Sequence, residues 1–197
     1  MLRALMETAR RLTTTEYAML GLLASGESSG YDLARAADRS IAYMWAPSRS
    51  QIYKALPRLV ASGLATSREV EQRGRPDKAV YRITRAGRAV LRGWLEDDAE
   101  APQAGGTVFL LKLLLAGAAP SEAGLRQLEA YRRRVERRLA AFEAMDRERS
   151  DSRTVYDRIA LAHGIAQARA TLAWAEDARP QLEREARRRR RGGATGR

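Results

Sequence analysis

Arg49, Ser50, Gln51, Tyr53 and Lys54 crowd five hydrogen-bonding side chains into a turn and a half of one segment, with Ser48 just before them. The apolar positions of the same segment, Ile52, Leu56, Leu59 and Val60, recur at helical spacing, so the donors line the outer face of an amphipathic helix. A guanidinium pairs with the edge of guanine and a carboxamide with that of adenine, each for about 1–3 kcal/mol of discrimination. Arg49 and Gln51 are therefore candidate base readers, and Ser48, Tyr53 and Lys54 candidate phosphate contacts. A solvated polar face on a core helix has the same composition. The segment that follows favours nucleic acid. Val70-Glu71 and Ala79 to Ile83 read as two strands around the turn Arg73-Gly74-Arg75-Pro76-Asp77. Arg73, Arg75 and Lys78 make that tip basic, as suits a wing lying along a DNA backbone or sending an arginine into the minor groove.

Other local signals show how such a helix would be held. Thr13 and Glu16 have the spacing of a capping box, and Ala18, Met19, Leu22 and Leu23 follow at helical spacing until Gly26. A second helix opens at Ser29-Gly30, with Tyr31, Leu33, Ala34 and Ala37 on its apolar side. Ser48 and Gln51 are a second capping box, opening the donor-bearing helix, and Gly63 ends it. Pro57 within it predicts a kink. Thr84 caps a further helix through Val90, Leu91, Trp94 and Leu95. Three helices, a hairpin and a fourth helix, in that order, make a winged helix-turn-helix over residues 12–100, preceded by an N-terminal extension, 1–11.

Composition narrows the function further. The chain has 197 residues, a formal net charge of +12 and no cysteine. The charge suggests a polyanionic partner, although residues 181–197 alone carry +5 of it. Disulfides, cysteine-ligated zinc and thiol catalysis are excluded. His163, the only histidine, reads as a packed helix residue. No catalytic constellation, phosphate-binding glycine loop or metal set can be assembled, so neither an enzyme nor a cofactor is expected. No apolar run approaches the ~20 residues that span a bilayer, and the expected location is the cytoplasm.

Beyond Ala101–Gly106, a linker with proline and glycine, the pattern is wholly helical. Leu125, Leu128, Tyr131, Val135, Leu139, Phe142 and Met145 recur every three or four residues, a stripe that needs a partner helix. In the last helix, about Arg153 to Leu182, the apolar residues Ile159, Leu161, Ile165, Leu172 and Trp174 spread over more than one face. That suits burial between this domain and a second subunit. The expected organisation is a mainly α chain with a small β-hairpin, a helical dimerisation domain over 107–182, and a basic, disordered tail over 183–197.

The motifs Ala18-Met19-Leu20-Gly21-Leu22-Leu23, Ser29-Gly30-Tyr31-Asp32-Leu33, Ser50 to Leu59, Gly63-Leu64-Ala65, Gly74-Arg75-Pro76 and Tyr81 to Gly87 stand in one order. In them the chain resembles the PadR family of transcriptional regulators, in its longer subfamily with a C-terminal helical dimerisation domain. The resemblance implies that Ser50, Tyr53, Lys54 and Arg58 lie on the recognition helix and that Arg75 and Lys78 belong to the DNA-contacting wing. It implies a homodimeric repressor of its own or a neighbouring operon, released by a small molecule, on a near-palindromic stretch of double-stranded DNA. Phe109 and Leu113, on the first C-terminal helix, join Ile159, Ile165, Leu172 and Trp174 as expected dimerisation residues. Trp45 and Trp174 are the expected lining of an effector pocket. A winged-helix adaptor that binds a protein rather than DNA is the alternative, since +4 over residues 1–100 is modest for a DNA reader.

Overall fold

The computed structural model describes residues 12–40, 47–70, 78–97, 105–120, 122–148 and 154–194. The chain forms two compact units, Met1–Asp97 and Asp98–Arg197. The first holds α1 (Thr14–Ala24), β1 (Ser28–Ser29), α2 (Gly30–Ser40), α3 (Arg49–Ala61), β2 (Ala65–Val70), β3 (Lys78–Ile83) and α4 (Arg85–Glu96). It is a winged helix-turn-helix.

Helix α1 starts on the expected capping box: the Glu16 amide donates to Thr13 Oγ1 at 3.2 Å, and the Thr13 amide donates to Glu16 Oε2 at 2.7 Å. It packs against α2, α3, α4 and β3. Being enclosed on most sides, it buries Leu20 and Gly21 as well as Ala18, Met19 and Leu23, and the expected single stripe does not hold. Leu22 is only half-buried. Leu33, Ala34, Ala37, Ile52, Leu56, Leu59, Val80, Ile83, Leu91 and Leu95 complete this core. Tyr17 and Trp94 stack at 4.4 Å with rings 6° apart, fastening α4 to α1.

The sheet is antiparallel in the order β1-β3-β2. Strand β1, only two residues long, has no alternation to betray it in the sequence. It pairs Ser28 with Tyr81 and Ser29 with Val80. Helix α3 ends at Gly63, whose φ of +69° is the left-handed conformation that favours glycine. The Gly63 amide donates to the Val60 carbonyl and that of Leu64 to the Leu59 carbonyl, both at 2.9 Å. This turn is tied to the next helix. Thr84 Oγ1 donates to the Gly63 carbonyl at 2.8 Å and accepts from the Gly87 amide at 3.0 Å, so one hydroxyl caps α4 and holds the end of α3.

The second unit comprises α5 (Gly105–Leu115), a 3-10 turn (Ala116–Ala118), α6 (Ala123–Arg147) and α7 (Val155–Ala194). Phe109, Leu128 and Ala175 form its buried centre, with Leu110, Leu113, Tyr131, Ala178 and Leu182 packed around them. The Phe109 ring stacks on Tyr131 at 4.1 Å and meets the edge of Trp174 at 6.1 Å.

Three expectations are corrected here. Phe109 is 1% exposed, and Leu113 is half-buried against the same cluster. Phe109 thus offers no apolar surface to a second subunit, whereas Leu113 keeps part of its own exposed. Nor is there a disordered tail from 183: α7 continues to Ala194. Ala175, Ala178, Leu182 and Ala186 recur at helical spacing, and three of them pack against or lie in the Phe109 cluster. That packing carries the helix past Pro180 despite the missing backbone donor. Glu183 and Glu185 pair with Arg187 and Arg188 one turn on, which offsets the self-repulsion of the arginine run. His163 is exposed on α7, not packed.

Candidate nucleic-acid interface

The second capping box forms as the spacing predicts: the Gln51 amide donates to Ser48 Oγ at 3.2 Å and the Ser48 amide to Gln51 Oε1 at 2.8 Å. It anchors the start of α3 but occupies the Gln51 carboxamide oxygen. The bidentate pairing with adenine expected of Gln51 therefore competes with the cap.

Helix α3 is sharply two-sided. Ile52, Ala55, Leu56 and Leu59 are buried. Arg49, Ser50, Tyr53, Lys54, Pro57, Arg58 and Ala61 are exposed, at steps of one, three and four that make one continuous outer face. Pro57 thus turns its ring to solvent, and the helix runs unbroken from Arg49 to Ala61. The Arg49 side chain is 69% exposed, and its ion pair with Asp38 Oδ2 is long, at 4.0 Å, and open to solvent, so it holds the guanidinium only weakly.

Tyr53 is the best-placed side chain on this face. Its ring lies over the first residue of α2, so closely that a Cβ on Gly30 would sit 2.9 Å from Tyr53 Cε1. Ser29 caps α2 beside it: Ser29 Oγ accepts from the Asp32 amide at 3.2 Å and donates to Asp32 Oδ2 at 2.6 Å. Ser29, Tyr31, Tyr53, Lys78 and Tyr81 line an open cleft of about 440 Å³ between the helix-turn-helix and the wing. Sequence reading named Tyr53 and Lys78 as contacts but put Tyr31 on the core side, and Tyr31 is 57% exposed. Gly30→Ala should push the Tyr53 ring aside without unfolding the protein, because the ring is free to swing outwards. The expected result is a melting midpoint within a few degrees of wild type and a several-fold loss of DNA affinity, read by differential scanning calorimetry and fluorescence anisotropy.

At the wing, Lys78 opens β3 opposite Val70 and is half-buried. Arg73 and Arg75, expected at the tip, and Trp45, expected to line an effector pocket, lie outside the described residues. Sequence reading missed a constellation at the base of the wing. Glu27 accepts from Arg68 on β2 at 2.7 Å and from Arg82 on β3 at 2.7 and 3.1 Å. The Arg82 guanidinium first, then that of Arg68, hold the Glu27 carboxyl below the usual carboxylate range. A lowered folded-state pKa adds stability that is present above the unfolded pKa and lost as pH falls through the folded one. The small difference in melting midpoint between wild type and Glu27→Gln should therefore be flat above about pH 5 and close below about pH 4. A difference unchanged down to the acid limit would show that the carboxylate pairing contributes nothing.

Among the described residues no group of histidines and carboxylates is disposed to hold a metal ion, and no helix is long and apolar enough to cross a membrane. Residues 19–93 match the family described as Transcriptional regulator PadR-like, and residues 107–183 match Virulence activator alpha C-term. Residues 19–93 are thus similar to the PadR-like family. The family is described as one of transcriptional regulators. A probable transcriptional regulator of Mycobacterium tuberculosis is 43% identical over 81 residues, 41% of this chain and 43% of the relative. The negative transcriptional regulator PadR of Bacillus subtilis is 35% identical over 97 residues, 49% of this chain and 53% of the relative. The chain thus spans about half the length of the curated relatives it matches. Similar solved structures include Bacillus subtilis PadR in complex with operator DNA, with a TM-score of 0.45, 23% identity and coverage of 86% of this chain and 99% of that one. The virulence activator AphA of Vibrio cholerae gives 0.39, 23%, 86% and 98% for the same measures.

Proposed function

We propose that the protein is a homodimeric, sequence-specific DNA-binding repressor of its own or a neighbouring operon, released by a small-molecule effector. The observation that carries the reading is the unbroken outer face of α3, with Arg49, Ser50, Tyr53, Lys54 and Arg58 opposite a wholly apolar buried face. Arg49 and Ser50 project at the start of the helix, where a recognition helix meets base edges, and Lys54 and Arg58 stand where phosphates pass. Lys78, with Arg73 and Arg75 of the tip, supplies the wing.

A second copy of the chain would supply the symmetry that sequence-specific reading by one short helix needs. Val155, Tyr156 and Ile159 at the start of α7 are 50%, 79% and 64% exposed, and Met145 at the end of α6 is 46% exposed. Large apolar side chains so exposed favour a self-complementary contact. Ile165, Leu172 and Trp174, all partly exposed, extend it along α7. Two recognition helices related by a two-fold axis read half-sites about one helical turn apart, hence a near-palindrome. An effector lowers affinity only by binding better to a dimer whose recognition helices are wrongly spaced. Trp45 and Trp174 are the aromatic candidates for its site, and unchanged tryptophan fluorescence under a ligand that releases DNA would remove them.

The test is fluorescence anisotropy on a duplex from the gene's own upstream region against a scrambled duplex, across a salt series. Preference for the upstream duplex that survives about 150–200 mM salt supports a sequence reader, because non-specific affinity collapses over that range. Equal affinities that vanish together would point to the adaptor reading. Sedimentation of Tyr156→Glu/Ile159→Glu as a monomer, where wild type is a dimer, supports the proposed interface.

A further inference from the structure

We propose that Glu27 is a positioning residue for the wing: its carboxylate, bridging Arg68 and Arg82 from the turn before β1, sets the angle of the hairpin against α3. This rests on the reading that α3 and the wing together engage DNA.

The main-chain connection between the hairpin and the helices is slight. Strand β3 meets β1 through two residue pairs only, whereas β2 and β3 pair over six positions from Ala65↔Ile83 to Val70↔Lys78. A two-stranded ribbon twists readily and is marginal by itself, so what fixes its base fixes where its tip lies. Glu27 stands immediately before β1, at the edge of the sheet. Its two carboxylate oxygens divide the work: Oε1 accepts from Arg68 on β2 at 2.7 Å, and Oε2 accepts from Nε and the terminal nitrogen of Arg82 on β3 at 3.1 and 2.7 Å. One side chain thereby reaches across β3 to β2 and ties all three strands together.

In the register Arg68 faces Val80 and Arg82 faces Thr66, with Ser67↔Tyr81 between them, so both arginines rise from the same face of the ribbon two pairs apart. Two cations placed so would repel across the strands without the carboxylate between them. The same surface is an open cleft of about 260 Å³ lined by Glu27, Thr66, Ser67, Arg68, Val80 and Arg82, so water screens these charges. An exposed ion pair adds little to stability. The consequence of this bridge is therefore geometric: it determines where β2, β3 and Lys78 lie, more than whether the protein folds.

The test compares full-length wild type, Glu27→Gln and Glu27→Asp on the upstream and scrambled duplexes across the salt series. Aspartate keeps the charge but is one methylene shorter and cannot span both guanidinium groups. Both variants should bind the upstream duplex about five- to tenfold more weakly, keep their affinity for the scrambled duplex within about twofold, and melt within a few degrees of wild type. Wild-type affinity in Glu27→Asp would overturn the proposal and reduce Glu27 to a charge. Tighter binding with a steeper salt slope in Glu27→Gln would also overturn it, showing that the carboxylate merely masks two phosphate-binding arginines. Amide hydrogen exchange, measured without DNA, separates this inference from the functional reading. Exchange should quicken in β2 and β3 of both variants and stay unchanged in α1 and α3. If wild type fails to discriminate the duplexes, the functional reading falls and the exchange result alone decides whether Glu27 positions the wing.

Discussion

On a duplex from its own upstream region, the Arg49→Ala variant should bind about 10- to 100-fold more weakly than wild type, while its affinity for a scrambled duplex falls only a few-fold. Arg49 is at the first position of α3, on its outer face, with its side chain exposed and, among the described residues, only a long ion pair with Asp38 at 4.0 Å. A side chain so placed loses little on leaving the free protein, so a pair with a base edge keeps most of its roughly 1–3 kcal/mol. The loss should centre on one base pair per half-site, with the Arg49→Ala variant tolerating substitutions there. Lys54→Ala has a different signature. Lys54 lies five residues further along the same face, suited to a phosphate, and its removal should weaken both duplexes alike and reduce the salt slope by about one. Were Arg49→Ala to weaken both duplexes equally, Arg49 would be another phosphate contact. Were neither substitution to change binding, the outer face of α3 would not be the reading surface.

What the sequence revealed of this site followed the range of the interactions that build it. The capping box of Ser48 and Gln51 acts across three residues, and the outer face of α3 is set by helical periodicity, so both were legible. Tyr53 was legible as a residue on that face but not as a ring lying on Gly30, because the approach of α2 to α3 is a property of packing. The Glu27 bridge joins residues 41 and 55 positions apart through a two-residue strand, and no periodicity records that. Phe109 was misjudged for a related reason. A short apolar run such as Val108 to Ala116 must be covered, but its sequence does not say whether its own chain or a second copy covers it. Here Tyr131 and Trp174 do. The arginine run presents only charge to a reading of the sequence, and the stripe of Ala175, Ala178, Leu182 and Ala186 that carries its helix is interrupted there by Pro180.

That run makes the second large prediction. Deleting residues 183–197 should lower the melting midpoint of the second unit by about 10 °C or more, and Arg189→Ala alone should lower it by about 5–10 °C. Arg189 reaches from α7 to the end of α5, donating to the carbonyls of Ala116, Gly117 and Ala119 at 3.3, 2.9 and 3.0 Å. Ala116 and Gly117 lie in the 3-10 turn that closes α5, where the Ala116 carbonyl also accepts from the Ala119 amide at 3.1 Å and a cation faces the negative end of the helix dipole. Arg190 adds a bond to Glu122 at 2.5 Å, just before α6 begins. One segment thus holds the connection between two helices. Hydrogen bonds from a charged donor contribute about 1.5–3 kcal/mol when well enclosed. Arg189 is only partly buried, so about 1–2 kcal/mol for the three together is the expected loss, which corresponds to that shift in a unit of this size. Truncation removes Arg190 and the buried Ala186 as well. The deletion should leave the first unit's transition in place, and calorimetry resolves the two. An unchanged midpoint with weaker, salt-sensitive binding to any DNA would make the run a loose electrostatic tail. A lowered midpoint with unchanged affinity below the transition would make it the clasp that holds α5 and α6 on α7.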